Sequence, residues 1–137
     1  MSNAAEIVRR FYESLGRGDV PGLLALMAPE IEWTEAERFP YHAGTWRTPQ
    51  AVVDGLLVPL GRDWSAFSAT PTDYLAEGER VVAFGVYSGT YKATSRSFTA
   101  PFAHLWTVRG GKIAGFVQYT DTAKVLEAVH TRGCSSC

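Results

Sequence analysis

A histidine and a glutamine lie on the two strands of a predicted β-hairpin, and both side chains can contact a ligand through hydrogen bonds. Residues 97–108 and 113–120 are rich in strand-forming side chains and flank two glycines, which predicts a hairpin. Alternation along each strand puts His104 and Gln118 on the same side of the sheet if Gly110-Gly111 makes a bulged turn. A lone buried histidine can equally be a satisfied core residue, and a lone glutamine a structural bridge. The aromatic side chains that share these faces are Phe102, Trp106 and Phe116.

A carboxylate is the second ingredient of acid–base chemistry, and Glu35 is the first candidate. It follows a short predicted strand at 31–34. A base that removes a proton beside a carbonyl needs a partly dry site, because burial raises its pKa toward the working pH. The alternative is a solvated loop carboxylate, since Glu30, Glu32 and Glu37 crowd the same segment.

The sequence does not contain the patterns that are typical of several other kinds of site. The segment 44–46 lacks the glycine spacing of a phosphate loop. The three histidines are too far apart in sequence to suggest metal-ligand spacing, and no Ser-His-Asp order stands out. We therefore expect no metal site and no cofactor.

Three helices are predicted in the first half of the chain. Asn3 starts a capping-box pattern, and Gly16 and Gly18 end the first helix. Asp19 caps a short second helix. The third begins at Pro49, where no backbone hydrogen bond is lost, and should break near Pro59. These helices must position the side chains that the strands present.

The rest of the chain is predicted mostly as strands. Besides 31–34 and the hairpin, the predicted strands are 65–75 and 80–91, and a last helix covers 123–129. Helical signals early and strand signals late indicate an α+β fold. Gly85 and Gly89 within a long strand suggest curvature. We expect a cone-shaped curved antiparallel sheet with the N-terminal helices packed over its concave face, which leaves an apolar pocket for a small ligand.

Composition limits the partners. The chain has 137 residues, of which 46% are hydrophobic and 20% charged, and its formal net charge is -1. These values predict one domain over residues 1–130 and a flexible tail over 131–137, whose Cys134 and Cys137 have no role in function. The absence of a basic cluster argues against a nucleic-acid partner, and no apolar stretch is long enough to cross a membrane. With no signal peptide visible, we expect a cytoplasmic protein.

The order of these motifs resembles the nuclear transport factor two-like superfamily, and within it the SnoaL-like and ketosteroid-isomerase-like proteins. The resemblance covers residues 3–130. The segments that carry it are 18–19, 29–33, 44–51, 102–113 and 118–122. It implies a cystatin-like roll and a homodimer formed through the outer face of the sheet. It does not fix the reaction, because the superfamily contains isomerases, cyclases, hydrolases, dehydratases and non-catalytic binders.

The resemblance to ketosteroid isomerases assigns roles to three positions. Glu35 falls where these enzymes carry their general base, and His104 falls where they carry an acidic oxyanion donor. Their oxyanion tyrosine corresponds to Phe11, which has no hydroxyl to donate. The neighbouring Tyr12 is expected to point about 100° away around the helix, which makes it a poor substitute. Steroid isomerisation is therefore not expected.

The resemblance to SnoaL-like cyclases concerns the last strand. Those enzymes typically carry an aspartate where this chain has Gln118, and an amide does not exchange protons usefully near neutral pH. Asp121 could take over as the acid–base group if the strand bends. Its simpler interpretation is the N-cap of the last helix.

These residues suggest three functions. The first is an isomerase- or cyclase-type acid–base enzyme acting on an apolar cyclic substrate, with His104 as oxyanion donor and a carboxylate from Glu35 or Asp121. The second is a non-catalytic small-ligand-binding domain, and the third a protein-interaction module with a filled cavity. For the first two, we expect an aromatic lining that adds Phe11, Trp33, Tyr41, Trp46, Phe84 and Tyr87 to the aromatic residues of the hairpin.

Overall fold

Two helices open the chain. The structure is a computed structural model that describes residues 3–42 and 44–130. Helix α1 spans Asn3–Arg17 and ends at Gly18, which has a φ of 67° and so adopts the left-handed conformation that glycine accepts most readily. Asp19 then caps helix α2, Val20–Leu26, by accepting a hydrogen bond from the backbone N–H of Gly22 at 3.0 Å.

The third predicted helix does not break at Pro59. Helix α3, Pro49–Val52, continues into a π-helical turn, Val53–Leu57, and then into helix α4, Val58–Asp63. In the turn the N–H of Val58 donates to the carbonyl oxygen of Val53, five residues earlier. Since Pro59 has no N–H, we attribute the continuation to this wider turn, which changes the hydrogen-bond register just before the proline.

Six strands form one curved, unclosed sheet in the order β2-β1-β6-β5-β4-β3. The strands are β1 (Met27–Thr34), β2 (Thr45–Trp46), β3 (Trp64–Glu77), β4 (Arg80–Tyr91), β5 (Arg96–Arg109) and β6 (Lys112–Thr120). A final helix, α5, spans Thr122–Val129. The predicted α+β class is confirmed, with N-terminal helices packed on the sheet.

One pairing differs from the antiparallel sheet expected from the sequence. β1 pairs with β6 in parallel, whereas β3 to β6 form an antiparallel meander. Short turns between consecutive strands require antiparallel pairing. β1 and β6 are separated by most of the chain, which leaves either direction open to them.

The core lies between α1 and the concave face of the sheet. Phe11 of α1 packs against Trp33 and Trp106, with ring centroids 5.6 and 5.1 Å away. Trp33 in turn stacks on Phe116 at 3.9 Å. These four rings come from four different elements, so their packing fixes the helix over the sheet and sets the position of the side chains around it.

Candidate functional site

A cavity of about 710 Å³ lies between the helices and the concave face of the sheet. Most of its wall is apolar, which matches the usual composition of a small-molecule site. The aromatic residues of the wall are Phe11, Trp33, Phe39, Trp64, Phe67, Trp106 and Phe116, and its main polar side chains are Tyr12, Glu35, Tyr87, His104 and Gln118. The third function considered above required a filled cavity, and the structure instead leaves this space open.

The hairpin has the predicted register. His104 lies opposite Gln118, and Trp106 lies opposite Phe116. The bulge that puts these side chains on the same side of the sheet lies within the strands, at the register shift between Thr107 and Val108, and not in the Gly110-Gly111 turn where it was expected. His104 and Gln118 are both buried and both line the cavity.

The imidazole of His104 is held between two tyrosine hydroxyls. The Tyr12 hydroxyl oxygen is 2.5 Å from Nδ1, and the Tyr87 hydroxyl oxygen is 2.6 Å from Nε2. The ring also stacks on Phe102, with centroids 3.9 Å apart. Burial lowers the pKa of His104 well below its ordinary value, because a charged imidazolium loses its hydration there. The ring is therefore neutral near pH 7.

Each tyrosine hydroxyl also accepts a hydrogen bond. Trp106 Nε1 donates to the Tyr12 hydroxyl at 3.1 Å, and Gln118 Nε2 donates to the Tyr87 hydroxyl at 2.8 Å. Burial raises the pKa of both tyrosines, and the nearby carboxylate of Glu35 raises that of Tyr87 further. Both phenols therefore stay protonated at neutral pH and can act as hydrogen-bond donors.

Glu35 is buried in the same wall. Its Oε2 accepts a hydrogen bond from Trp33 Nε1 at 2.7 Å. Desolvation raises its pKa from 4.5 to about 8, against the opposing effects of hydrogen bonds from Trp33 and Gln118. Among the described residues that line the cavity there is no Lys or Arg, so no side-chain cation in that set offsets the cost of ionising this carboxyl. Glu35 is thus poised to exchange a proton near neutral pH.

Gln118 connects Glu35 with the Tyr12–His104–Tyr87 chain. We call these five polar side chains of the cavity the polar wall. Its Oε1 accepts from the backbone N–H of Ala36 at 2.9 Å, and its Nε2 donates to Tyr87. The first bond fixes which way the amide points, because only the oxygen can accept. Gln118 therefore holds the segment that carries Glu35 against the strands that carry Tyr87 and His104.

The family model of the SnoaL-like domain matches residues 8–116. The chain belongs to the SnoaL-like domain family. Among curated proteins, none matches the chain in sequence.

Solved structures related to this SnoaL-like domain share its fold. An NTF2-like protein from Burkholderia thailandensis is 37% identical, with a TM-score of 0.90 over 95% of this chain and 99% of that one. TerC, crystallised with polyporic acid, is 26% identical, with a TM-score of 0.81 over 93% and 98% of the two chains. IdmH from Streptomyces antibioticus, a proposed polyketide cyclase, is 22% identical, with a TM-score of 0.79 over 92% and 97%.

Tyr12 of the SnoaL-like domain does not point away from the site as expected. It lines the cavity and contacts His104 directly. The buried face of α1 is wide enough to include both Phe11 and Tyr12, although their side chains point about 100° apart around the helix. Tyr12 lies one turn after Val8 on the inward face of α1, and this i, i+4 spacing was the sequence signal that could have placed it in the site.

Asp121 does not join the polar wall. It is exposed and caps α5 by accepting from the backbone N–H of Lys124 at 3.3 Å. β6 ends at Thr120 and α5 begins at Thr122, and Asp121 is not among the residues that line the cavity. The alternative interpretation of Asp121 as a helix cap is the one that the structure supports.

Four predicted lining residues lie outside the cavity wall, each for a local reason. Tyr41 turns its hydroxyl to Asp63, and Trp46 packs against Gly55. Phe84 points to the outer face of β4, since alternation puts it opposite to Tyr87. Phe102 faces inward but stacks behind the ring of His104.

The aromatic lining residues that the sequence analysis did not predict lie outside the hairpin. Phe39 lies after β1, and Trp64 and Phe67 lie at the start of β3. Within residues 35–42, Glu35 and Phe39 line the cavity. The predicted tail with Cys134 and Cys137 lies outside the described residues.

Two further findings concern other kinds of site. Within residues 3–42 and 44–130, no group of three or more His, Cys, Asp or Glu side chains is arranged to hold a metal ion. No helix in this described part is long and apolar enough to span a membrane.

Proposed function

We propose that this SnoaL-like domain is an isomerase- or cyclase-type acid–base enzyme that acts on a small, apolar, cyclic compound. In this proposal residues 1–130 form the single functional domain, no cofactor takes part, and the protein is cytoplasmic. The observation that carries the proposal is the placement of Glu35 and of a Tyr12–His104–Tyr87 hydrogen-bond chain in one apolar cavity. A proton acceptor and hydroxyl donors facing the same space are what proton transfer beside a carbonyl needs.

Glu35 is the proposed proton carrier. General acid–base groups work best when their pKa lies near the operating pH, and burial brings the pKa of Glu35 to about 8. The carboxyl can therefore give or take a proton near neutrality without a large free-energy cost in either direction.

His104 is a positioning residue in this proposal and not the direct oxyanion donor first expected. Both of its ring nitrogens already lie within hydrogen-bonding distance of tyrosine hydroxyls. The donors that face the cavity are therefore the hydroxyls, and His104 orients them.

The shape and chemistry of the cavity support a cyclic ligand. Its volume of about 710 Å³ can hold a fused-ring compound, and its aromatic walls can stack on flat rings. TerC, a structural relative at 26% identity, was crystallised with polyporic acid. That observation supports an aromatic or otherwise cyclic substrate class for this domain as well.

Hydrogen–deuterium exchange at the carbon beside the carbonyl of 2-tetralone tests the proposal. We expect the wild-type protein to accelerate the exchange and Glu35→Gln to lose roughly 100-fold or more of this acceleration, as is usual for a general base. Glu30→Gln is the matched control, since Glu30 is exposed on β1. NMR of the ketone measures the rate. Binding of 2-tetralone without any acceleration would instead indicate the non-catalytic binding function.

We also propose that two copies associate through the outer face of the sheet. Phe84 and Val86 on β4 and Tyr119 on β6 are exposed there, with 37%, 38% and 58% of their surface accessible. Phe84 pairs with Ala103, which pairs with Tyr119, so these side chains lie in one row across three strands. A row of exposed apolar side chains is a typical interface.

Light scattering on a size-exclusion column tests this association. The wild type is expected at twice the chain mass. Phe84→Glu/Tyr119→Glu is expected at the chain mass, because it buries two like charges at the interface. Ala25→Glu/Gln50→Glu adds the same charge on exposed helix positions and should leave the mass unchanged. A monomeric wild type would contradict the proposal.

A further inference from the structure

The Tyr12–His104–Tyr87 chain has one more polar hydrogen than its two internal hydrogen bonds need. Neutral imidazole carries one N–H, and each tyrosine hydroxyl carries one O–H, which makes three hydrogens. The chain has only two contacts to fill, Tyr12 to Nδ1 and Tyr87 to Nε2. One hydroxyl hydrogen is therefore spare, and the imidazole tautomer decides which tyrosine carries it.

The two tautomers place the spare hydrogen at opposite ends of the chain. If His104 carries its hydrogen on Nδ1, it donates to Tyr12, Tyr87 donates to Nε2, and the spare hydrogen belongs to Tyr12. If the hydrogen is on Nε2, the roles reverse and the spare hydrogen belongs to Tyr87. Among the residues that the structure describes, neither hydroxyl has an acceptor other than His104, and both tyrosines line the cavity.

The surroundings of the two ends differ. Aromatic rings surround both tyrosines, namely Tyr74, Phe102 and Trp106 around Tyr12 and Phe39, Phe67 and Phe102 around Tyr87. The difference lies in the polar neighbours: the Tyr87 hydroxyl accepts from the amide of Gln118 and is close enough to Glu35 for that carboxylate to raise its pKa. An oxygen acceptor on a ligand that meets Tyr87 therefore lies near the carboxyl that would exchange a proton with it.

We infer that Tyr87 is the residue that binds the substrate oxygen, a carbonyl or enolate, through its spare hydroxyl hydrogen, and that His104 makes this possible by holding its own hydrogen on Nε2. Tyr12 then donates to Nδ1 and acts as a positioning residue, fixed by Trp106 Nε1. The inference rests on the proposed function, since it concerns a ligand in the same cavity. It adds the substrate class, namely compounds with an acceptor oxygen, and the residue that selects them.

Two matched probes isolate the contribution of the oxygen. 2-Tetralone and tetralin have the same fused-ring skeleton, and only the first carries a carbonyl. We expect the wild type to bind 2-tetralone more tightly than tetralin, by on the order of tenfold for one hydrogen bond. Tyr87→Phe should reduce this ratio to about one, whereas Tyr41→Phe, which removes a tyrosine hydroxyl outside the cavity wall, should leave it unchanged. Calorimetric titration gives both dissociation constants for each variant.

The tautomer is measured directly in the wild type, so the test does not depend on the variants folding. With ¹⁵N-labelled histidine, the His104 ring should show a protonated Nε2 and an unprotonated Nδ1 in the 2-tetralone complex and in the free protein at pH 7.5. A hydrogen on Nδ1, a doubly protonated ring, or an unchanged ketone preference in Tyr87→Phe would overturn the inference.

The outcomes separate this inference from the proposed function. Equal affinity of the wild type for tetralin and 2-tetralone overturns the inference and leaves a small-molecule site. If neither probe binds, the proposed function fails for this class of compound. The free-protein tautomer then decides the inference on its own, with Nε2–H in its favour and Nδ1–H against it.

Discussion

As the pH rises from 4 to 9, Glu35→Gln is expected to gain stability relative to the wild type. The difference between their free energies of unfolding should shift in favour of the variant by on the order of 4 kcal/mol over this range. The pKa of Glu35 is raised from 4.5 to about 8 by burial in the folded protein. A glutamine at this position does not titrate, and its amide oxygen can still accept from Trp33 Nε1.

The direction of the effect follows from proton linkage. Between the unfolded and the folded pKa, the unfolded chain releases the carboxyl proton while the folded protein keeps it. The wild-type free energy of unfolding therefore falls by about 1.4 kcal/mol per pH unit over this interval. The stabilisation is fully present below the unfolded pKa and is lost once the pH passes the folded pKa near 8. The low pKa of His104 affects both proteins equally, so it cancels in the difference.

Urea unfolding at several pH values from 4 to 9 measures this prediction. Glu30→Gln is the control, because an exposed carboxyl should leave the pH profile parallel to that of the wild type. If the Glu35→Gln profile also stays parallel, Glu35 is not held protonated in the folded state, and its proposed role loses its physical basis.

His104→Phe is expected to lower the free energy of unfolding by roughly 2–6 kcal/mol, because it leaves two buried hydroxyls without their partner and each such group costs about 1–3 kcal/mol. The phenyl ring can keep the stacking on Phe102, so packing changes little. The loss should therefore come mainly from the hydroxyls of Tyr12 and Tyr87.

A double-mutant cycle separates the hydrogen bond from general damage. His104→Phe combined with Tyr12→Phe should cost less than the sum of the two single changes, by about 1 kcal/mol or more, since both remove the same interaction. His104→Phe combined with Tyr41→Phe is the control and should be additive, because Tyr41 donates to Asp63 away from the chain. Additivity in both pairs would show that the Tyr12–His104 contact contributes nothing to stability.

Local patterns in the sequence predicted the elements and the hairpin. Alternation at 102–106 and 116–120 indicated which side chains share a face, but the pairing of His104 with Gln118 also depends on the bulge between Thr107 and Val108, which alternation does not encode. Asp19 and Asp121 were predictable as helix caps for the same reason, since a cap depends on residues three positions away. Where two local rules conflicted, as at Pro59 in a helix that continues through a wider turn, the prediction was wrong.

The sequence by itself therefore determined the α+β class and which side chains share a face of each hairpin strand, because these follow from periodicity over a few residues. Only the tertiary structure decided the composition of the polar wall. The contact of Tyr12 with His104 joins residues 92 positions apart, and Gln118 accepts from the backbone N–H of Ala36, the neighbour of Glu35, across 82 positions. Such contacts depend on how α1 packs over the curved sheet, and no spacing within one segment encodes the distance between two segments.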